Sequence, residues 1–162
     1  MNSVSTPGLE NQCKGHVTFI REVALKYRKA KRTAPIDALA TANQAAAFMR
    51  RILPDNVREH FLALFLDGRN QVASYFVVAT GSADSCPVAA RELFQAAVTA
   101  GAVSVIVGHN HPSGQTVPSA EDEAVTRRLR EAGNLLGIPV LDHLILGNEC
   151  YLSFRESGKI SA

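Results

Sequence analysis

Residues 103–122 have the sequence VSVIVGHNHPSGQTVPSAED, in which a strand signal runs directly into two closely spaced histidines. The apolar, β-branched run at residues 103–107 predicts a buried strand. Side chains two residues apart on an extended backbone point to the same side, so His109 and His111 should converge while Asn110 faces away. This segment therefore predicts a pair of imidazoles at the end of a buried strand.

The helix that follows should bring a carboxylate to the same place. Ser119 is the predicted N-cap, and Asp122 lies in the first turn, in register with the apolar stripe of Val125, Leu129, Ala132 and Leu136. A buried carboxylate is costly unless a cation compensates it. A zinc ion held by His109, His111 and Asp122 would do so, and three protein ligands leave a fourth position for water, as in catalytic zinc sites.

A structural interpretation of the helix start is also open. Ser119 and Asp122 taken alone could form a capping box, although Glu or Gln is usual at the third helical position. A single histidine at a strand end would likewise more often be structural. Two histidines at this spacing, followed by an aligned carboxylate, favour the metal site over the structural interpretation.

The motif resembles that of a known family. His109-x-His111-Pro112, followed after six residues by Ser119-x-x-Asp122, is similar to the JAMM motif of the JAB/MPN metalloprotease fold. With Ser113-Gly114 and the later Asp142-His143, the pattern resembles the RadC-like branch of that fold, over about residues 43–158. The resemblance implies a helix-flanked mixed sheet and a zinc-dependent hydrolase that cleaves a peptide or isopeptide bond in a protein or peptide substrate.

The resemblance also implies a role for each residue of the site. His109, His111 and Asp122 would bind zinc, and Ser119 would donate a hydrogen bond to the tetrahedral intermediate. The general base of the family is a Glu at the start of an earlier strand, which corresponds here to Glu59. Such a carboxylate would take a proton from the zinc-activated water and return it to the leaving amine.

Two other acidic residues compete with Glu59 for the role of base. Glu92 lies on a predicted helix, off its apolar face, which favours a solvated or ion-paired role. Asp142 precedes His143, and these two would either orient a metal ligand or satisfy each other. Spacing alone leaves these alternatives open, and the resemblance favours Glu59.

Composition indicates one globular domain. The chain has 162 residues, of which 46% are hydrophobic and 20% are charged, which suits a single core. No apolar run is long enough to span a membrane, and the N-terminus lacks the apolar core of a signal peptide, so we expect a cytoplasmic protein with no membrane partner. Cys13, Cys86 and Cys150 are distant in sequence and odd in number, which predicts no disulfide framework.

Positive charge is concentrated near the N-terminus. Residues 1–33 contain seven Lys and Arg against two Glu, for a net charge of +5, and five of the basic residues are Lys26, Arg28, Lys29, Lys31 and Arg32. Such a cluster could contact nucleic acid, although a solvated segment is the more common explanation. The resemblance to RadC-like proteins implies the alternative function, a non-catalytic or nucleic-acid-binding module associated with DNA repair. Longer RadC-like proteins resemble DNA binders through a helix-hairpin-helix module, which this chain is expected to be too short to hold.

The pattern along the chain predicts an α/β fold. Residues 1–15 read as a mobile tail and residues 16–162 as one JAB/MPN-like domain. The sequence predicts strands at 17–27, 59–66, 71–79, 103–108, 139–146 and 151–154, and helices at 41–53, 87–100 and 119–136. Asp67-Gly68-Arg69-Asn70 is predicted to be a hairpin turn in which the glycine takes an unusual backbone angle. The alternation of strands and helices favours a mixed sheet with helices on both faces, in three layers. A zinc nucleobase deaminase can share such a sheet, but its H-x-E and P-C-x-x-C elements are both missing.

Overall fold

The elements of the fold follow the predicted order closely. The structure, a computed structural model, describes residues 39–81 and 88–160. Its elements are α1 (Ala42–Ile52), β1 (His60–Leu66), β2 (Val72–Thr80), α2 (Ala90–Thr99), β3 (Ser104–Asn110), α3 (Ala120–Leu136), β4 (Val140–Leu146) and β5 (Tyr151–Ser153). The bounds agree with the sequence pattern to within a few residues, and the largest difference is that α2 begins at Ala90 rather than at residue 87.

The five strands form one mixed sheet in the order β2-β1-β3-β4-β5. Neighbouring strands are antiparallel except for β3 and β4, which are parallel and are joined by the crossover through α3. Phe61 pairs with His109, and His109 pairs in turn with Ile145. The strand that carries the histidines therefore lies at the centre of the sheet, where both of its edges are paired.

Apolar side chains alternate between two cores, one on each face of the sheet. Leu62, Leu64 and Leu66 of β1 pack with α1, whereas Phe61 and Phe65 pack with residues of α2 and α3. Each fully buried leucine stabilises the fold by roughly 1.5–3 kcal/mol. Helices on both faces confirm the predicted α/β fold of a single domain with three layers, and they leave the ends of the central strands for the site.

A glycine allows α1 to approach the histidine-bearing strand. Gly108 of β3 lies against Met49 of α1, and a Cβ atom at position 108 would come within 2.5 Å of the Met49 sulfur and 3.0 Å of the Leu144 carbonyl oxygen. A larger residue next to His109 would therefore have to displace either the methionine or the neighbouring strand.

Two local expectations were wrong. Leu136, predicted to extend the apolar stripe of α3, is 48% exposed, because the helix ends there at Gly137 in the left-handed conformation. In the β1–β2 turn, the predicted unusual backbone angle belongs to Asn70, at φ 59°, and not to Gly68. Asparagine tolerates this conformation better than most residues do, so the turn forms without glycine at that position.

Several predictions concern segments outside the described residues. These are the tail at 1–15, the strand at 17–27, the basic cluster at 26–32, and the thiols of Cys13 and Cys86. Within the described part of the chain, Cys150 is a free, exposed thiol. In that same part, no helix has both the length and the apolar character that a membrane crossing requires.

Candidate metal centre

The central strand brings the two predicted histidine ligands together. His109 lies in β3 and is fully buried, and His111 directly follows the strand, with its backbone N–H donating to the Leu146 carbonyl oxygen at 3.0 Å. The Nε2 atoms of His109 and His111 are 2.9 Å apart. The two imidazoles thus converge, as the spacing of two residues on an extended backbone predicts.

Asp122 completes the cluster from the first turn of α3. Its Oδ1 atom lies 3.2 Å from Nε2 of His109, and its Oδ2 atom lies 3.9 Å from Nε2 of His111. The ligand atoms of all three residues lie within 4.8 Å of one another. Two imidazole nitrogens and one carboxylate oxygen are a donor set that suits zinc and similar divalent ions. The residues therefore fit a metal ion, which this cluster could hold.

The capping box is also present, and it uses the same carboxylate. The Ser119 hydroxyl oxygen accepts from the Asp122 backbone N–H at 3.1 Å, and the Ser119 backbone N–H donates to Asp122 Oδ2 at 2.7 Å. The Ser119 hydroxyl donates to that same Oδ2 at 2.6 Å. The two interpretations of this motif are therefore compatible, because the helix cap holds Oδ2 and leaves Oδ1 facing His109.

Electrostatics keep the carboxylate charged and one imidazole neutral. Burial alone would raise the pKa of Asp122, but the charged form of His109, which donates a hydrogen bond from Nε2, and hydrogen bonds from Ser119 outweigh burial and hold that pKa well below its usual range. Burial, and then the charge of His109, lower the pKa of His111. Nδ1 of His111 donates to the Gln115 carbonyl oxygen at 2.9 Å, so its Nε2 is unprotonated when the ring is neutral.

Glu59 lies at the same end of the sheet as the cluster. It immediately precedes β1, and the antiparallel pairing of Phe61 with His109, continued by two residues, sets Glu59 opposite His111. Its side chain is half-buried, and this burial raises its pKa, with a further increase from the Asp122 charge and an opposing effect from His109. The structure thus brings the predicted base close enough to interact electrostatically with two of the predicted ligands.

The other two acidic candidates lie elsewhere. Glu92 is exposed in the first turn of α2, in agreement with the solvated role that its helical position indicates. Asp142 accepts hydrogen bonds from the Ser153 hydroxyl at 2.6 Å and from the backbone N–H groups of His143 at 2.8 Å and Arg155 at 3.0 Å. The Asp142 carboxylate is therefore hydrogen-bonded within the β4–β5 region, and it does not pair with the ring of His143.

His143 turns to the other side of β4 and contacts the cluster. Its Nε2 lies 2.9 Å from Nδ1 of His109, and its Nδ1 lies 2.5 Å from the Thr126 hydroxyl oxygen. The ring is fully buried, stacked against Phe154 with centroids 4.8 Å apart. Of the two open roles for the Asp142-His143 pair, the contact with a ligand therefore belongs to His143 alone.

Two contributors to this region were missed from the sequence. The Asn110 side chain faces away from the cluster as expected, but its Oδ1 accepts from the His60 N–H at 2.8 Å and its Nδ2 donates to the Arg58 carbonyl at 2.9 Å. It thereby holds the backbone on both sides of Glu59. Thr126 carried one usable signal, because it stands four residues after Asp122 on the same face of α3.

The fold and the site together define a JAB-type domain, and comparison with known proteins gives the family. The RadC-like JAB domain family matches residues 39–159. A UPF0758 protein of Trichlorobacter lovleyi is 45% identical over 130 residues, which is 80% of this chain and 56% of that protein. A UPF0758 protein of Geotalea uraniireducens is 41% identical over 137 residues, which is 85% of this chain and 60% of that protein.

This chain belongs to the RadC-like JAB domain family. The match spans little more than half the length of these curated relatives, and their name states no activity. Membership therefore fixes the family and the fold, while the reaction has to be argued from the residues of the site.

Proposed function

We propose that this protein is a zinc-dependent hydrolase of the JAMM type that cleaves a peptide or isopeptide bond. The observation that supports the proposal is the convergence of His109, His111 and Asp122, with Glu59 near enough for its pKa to be affected by His109 and Asp122. A carboxylate cage alone would suit calcium or magnesium, whereas two imidazoles with one carboxylate favour zinc. When bound, zinc would supply a Lewis acid that polarises a carbonyl and lowers the pKa of water.

In this proposal Glu59 moves the proton. A half-buried carboxylate whose pKa is raised by desolvation is a stronger base than an exposed one, and it can also return the proton near neutral pH. Glu59 would take a proton from the attacking water and deliver it to the nitrogen of the leaving amine. The clamp by Asn110 on the backbone of Arg58 and His60 would hold that carboxylate in place.

Ser119 is proposed to stabilise the oxyanion that develops on the carbonyl oxygen. Its hydroxyl is exposed and donates to Asp122 Oδ2, so it would have to exchange this hydrogen bond for one to the substrate. The Ser119 backbone N–H donates to the same oxygen at 2.7 Å and would keep Asp122 bonded during that exchange. The hydroxyl is therefore free to turn without leaving the carboxylate unpaired.

The test combines metal analysis with turnover. Purified protein should contain zinc at one ion per chain, and it should generate new termini in a peptide library made from a cell lysate, read by mass spectrometry. Glu59→Gln should lower turnover by about 10²- to 10⁴-fold while keeping the zinc, because it removes the base and spares the ligands. Glu92→Gln is the matched control, because Glu92 is exposed on α2. This variant should leave both turnover and zinc content unchanged.

Two results would overturn this proposal. One is protein that binds no zinc under any loading condition, and the other is a Glu59→Gln variant that turns over as fast as the parent. Nucleic-acid binding stays a prediction, because the basic cluster at residues 26–32 lies outside the described residues. Duplex binding that weakens steeply with salt would support it.

A further inference from the structure

Hydrogen bonds link the Asp122 carbonyl, the Thr126 hydroxyl, His143 and His109 in series. The position of each proton follows from which of these atoms can only accept. The Thr126 hydroxyl lies 2.6 Å from the Asp122 carbonyl oxygen, four residues earlier in α3. A carbonyl oxygen can only accept, so the single hydroxyl proton of Thr126 points to it. Towards Nδ1 of His143, at 2.5 Å, the Thr126 oxygen must then be the acceptor. His143 therefore carries its proton on Nδ1.

This assignment fixes the next ring in turn. His143 is fully buried, and its two ring nitrogens face the Thr126 hydroxyl and Nδ1 of His109 rather than a carboxylate, so the ring is held as the neutral imidazole and its Nε2 is unprotonated. Nδ1 of His109, 2.9 Å away, must then donate to it. A neutral His109 is left with its lone pair on Nε2, the atom that lies between His111 and Asp122.

We propose that His143, held by the Thr126 hydroxyl, is a positioning residue that fixes the tautomer in which His109 can bind a metal through Nε2. The inference rests on the proposed metal site but concerns residues outside it. The reverse arrangement would place a proton on Nε2 of His109, where it would donate to Asp122 and block ligation. Thr126 decides between the two, because its single hydroxyl proton is donated to the Asp122 carbonyl, which leaves only its lone pairs to face Nδ1 of His143.

Removal of the Thr126 hydroxyl should reverse the direction of the hydrogen bond between His143 and His109. In Thr126→Val the Nδ1 proton of His143 has no acceptor, so the ring should move that proton to Nε2 and donate to His109. Zinc affinity should then fall by roughly 10- to 100-fold, as for other groups that orient a metal ligand. Thr126→Ser keeps the hydroxyl and should restore affinity. These effects are measured by competition between the protein and a zinc chelator.

A matched control separates positioning from simple packing. Ser153→Ala removes a comparable buried hydroxyl from the other side of β4, where it donates to Asp142. This variant should lose stability without a change in zinc affinity. If Thr126→Val and Ser153→Ala leave zinc affinity equally unchanged, or if Thr126→Ser binds no better than Thr126→Val, the positioning role is wrong.

The tautomer can also be measured without any metal. Two-bond ¹H–¹⁵N correlation spectra of the metal-free protein, recorded at about pH 8, above the ordinary histidine pKa of about 6.5, should show a proton on Nδ1 of His109. In Thr126→Val that proton should be lost from Nδ1. A parent protein with no proton on Nδ1 of His109 would overturn the inference. A correct tautomer in a protein that binds no zinc would overturn the proposed function alone.

Discussion

Two buried polar networks lie on opposite sides of β4, and they differ in whether every acceptor has a donor. On one side, Asp142 accepts three hydrogen bonds, from Ser153, Arg155 and the His143 backbone. On the other, Nε2 of His109, Nε2 of His111 and the carboxylate of Asp122 lie within 4 Å of one another. The first network is complete within the protein. In the second, the tautomer proposed for His109 and the Nδ1–H bond of His111 leave two Nε2 lone pairs facing a carboxylate when both rings are neutral.

The difference separates a site whose polar atoms are paired within the chain from one that could hold a metal ion. Buried polar atoms are stable when each is paired, and the Asp142 network meets this requirement with its own chain. Lone pairs and a carboxylate that converge in a buried place repel one another unless a cation lies between them. A metal ion would satisfy all three atoms of the second network at once. Asp142 and His143 are neighbours in β4 but belong to different networks, because successive side chains of a strand point to opposite faces of the sheet.

The largest effect should follow from removing a ligand of the unpaired network. His109→Ala should abolish zinc binding and turnover, because it removes the most deeply buried of the three ligands. Zinc at about 100 times its Kd should stabilise the parent by about 2.7 kcal/mol, and this gain should vanish in the variant. Thermal unfolding with zinc and with chelator measures it. If zinc raised the unfolding temperature of His109→Ala as much as that of the parent, His109 would not be a zinc ligand and the contrast between the two networks would be wrong.

A smaller effect should follow from breaking the complete network. Ser153→Ala leaves Oδ2 of the buried Asp142 without its hydroxyl donor, which should cost about 1–3 kcal/mol of unfolding free energy. Urea denaturation measures this cost. Zinc affinity and turnover should stay at the parent level, and a loss of zinc in this variant would show that the two networks are coupled.

The smallest expected effect is a difference in pH dependence between the two carboxylates. Hydrogen bonds lower the pKa of Asp122 despite its burial, so its contribution to stability is present above the ordinary pKa of 3.8 and is lost as pH falls. Burial raises the pKa of Asp142 despite its hydrogen bonds, so its contribution declines as pH rises above 3.8.

Substitution should therefore change the slope of stability against pH in opposite senses. Asp122→Asn removes the loss of stability that accompanies protonation of Asp122. The slope of unfolding free energy against pH should therefore become shallower below about pH 5. Asp142→Asn removes the decline in stability that accompanies ionisation of the buried Asp142. The slope of unfolding free energy against pH should therefore become steeper above pH 3.8. Urea denaturation of chelated protein at a series of acid pH values measures both. Slopes that shift in the same direction would contradict the opposite shifts of the two groups.

Much of the site was predictable because its signals are local. The spacing of His109 and His111 on a strand, and of Ser119 and Asp122 at a helix start, follows from backbone geometry within a few residues. The hydrophobic pattern predicted the strands and helices for the same reason. Errors arose where local rules compete, as at the Asp67–Asn70 turn, where Asn70 and not glycine took the left-handed conformation.

The sequence by itself determined the family, the layered α/β fold and the three converging side chains of the candidate metal centre, because each depends on periodicity or on short spacing. Only the tertiary structure decided that the His143 ring contacts His109 while Asp142 is bonded on the opposite side of β4, and that Asn110 bonds the backbone on both sides of Glu59. Those contacts join residues 11, 34 and about 50 positions apart, and they depend on the register between strands. No local pattern encodes that register, because it is set by how the two cores pack against the sheet.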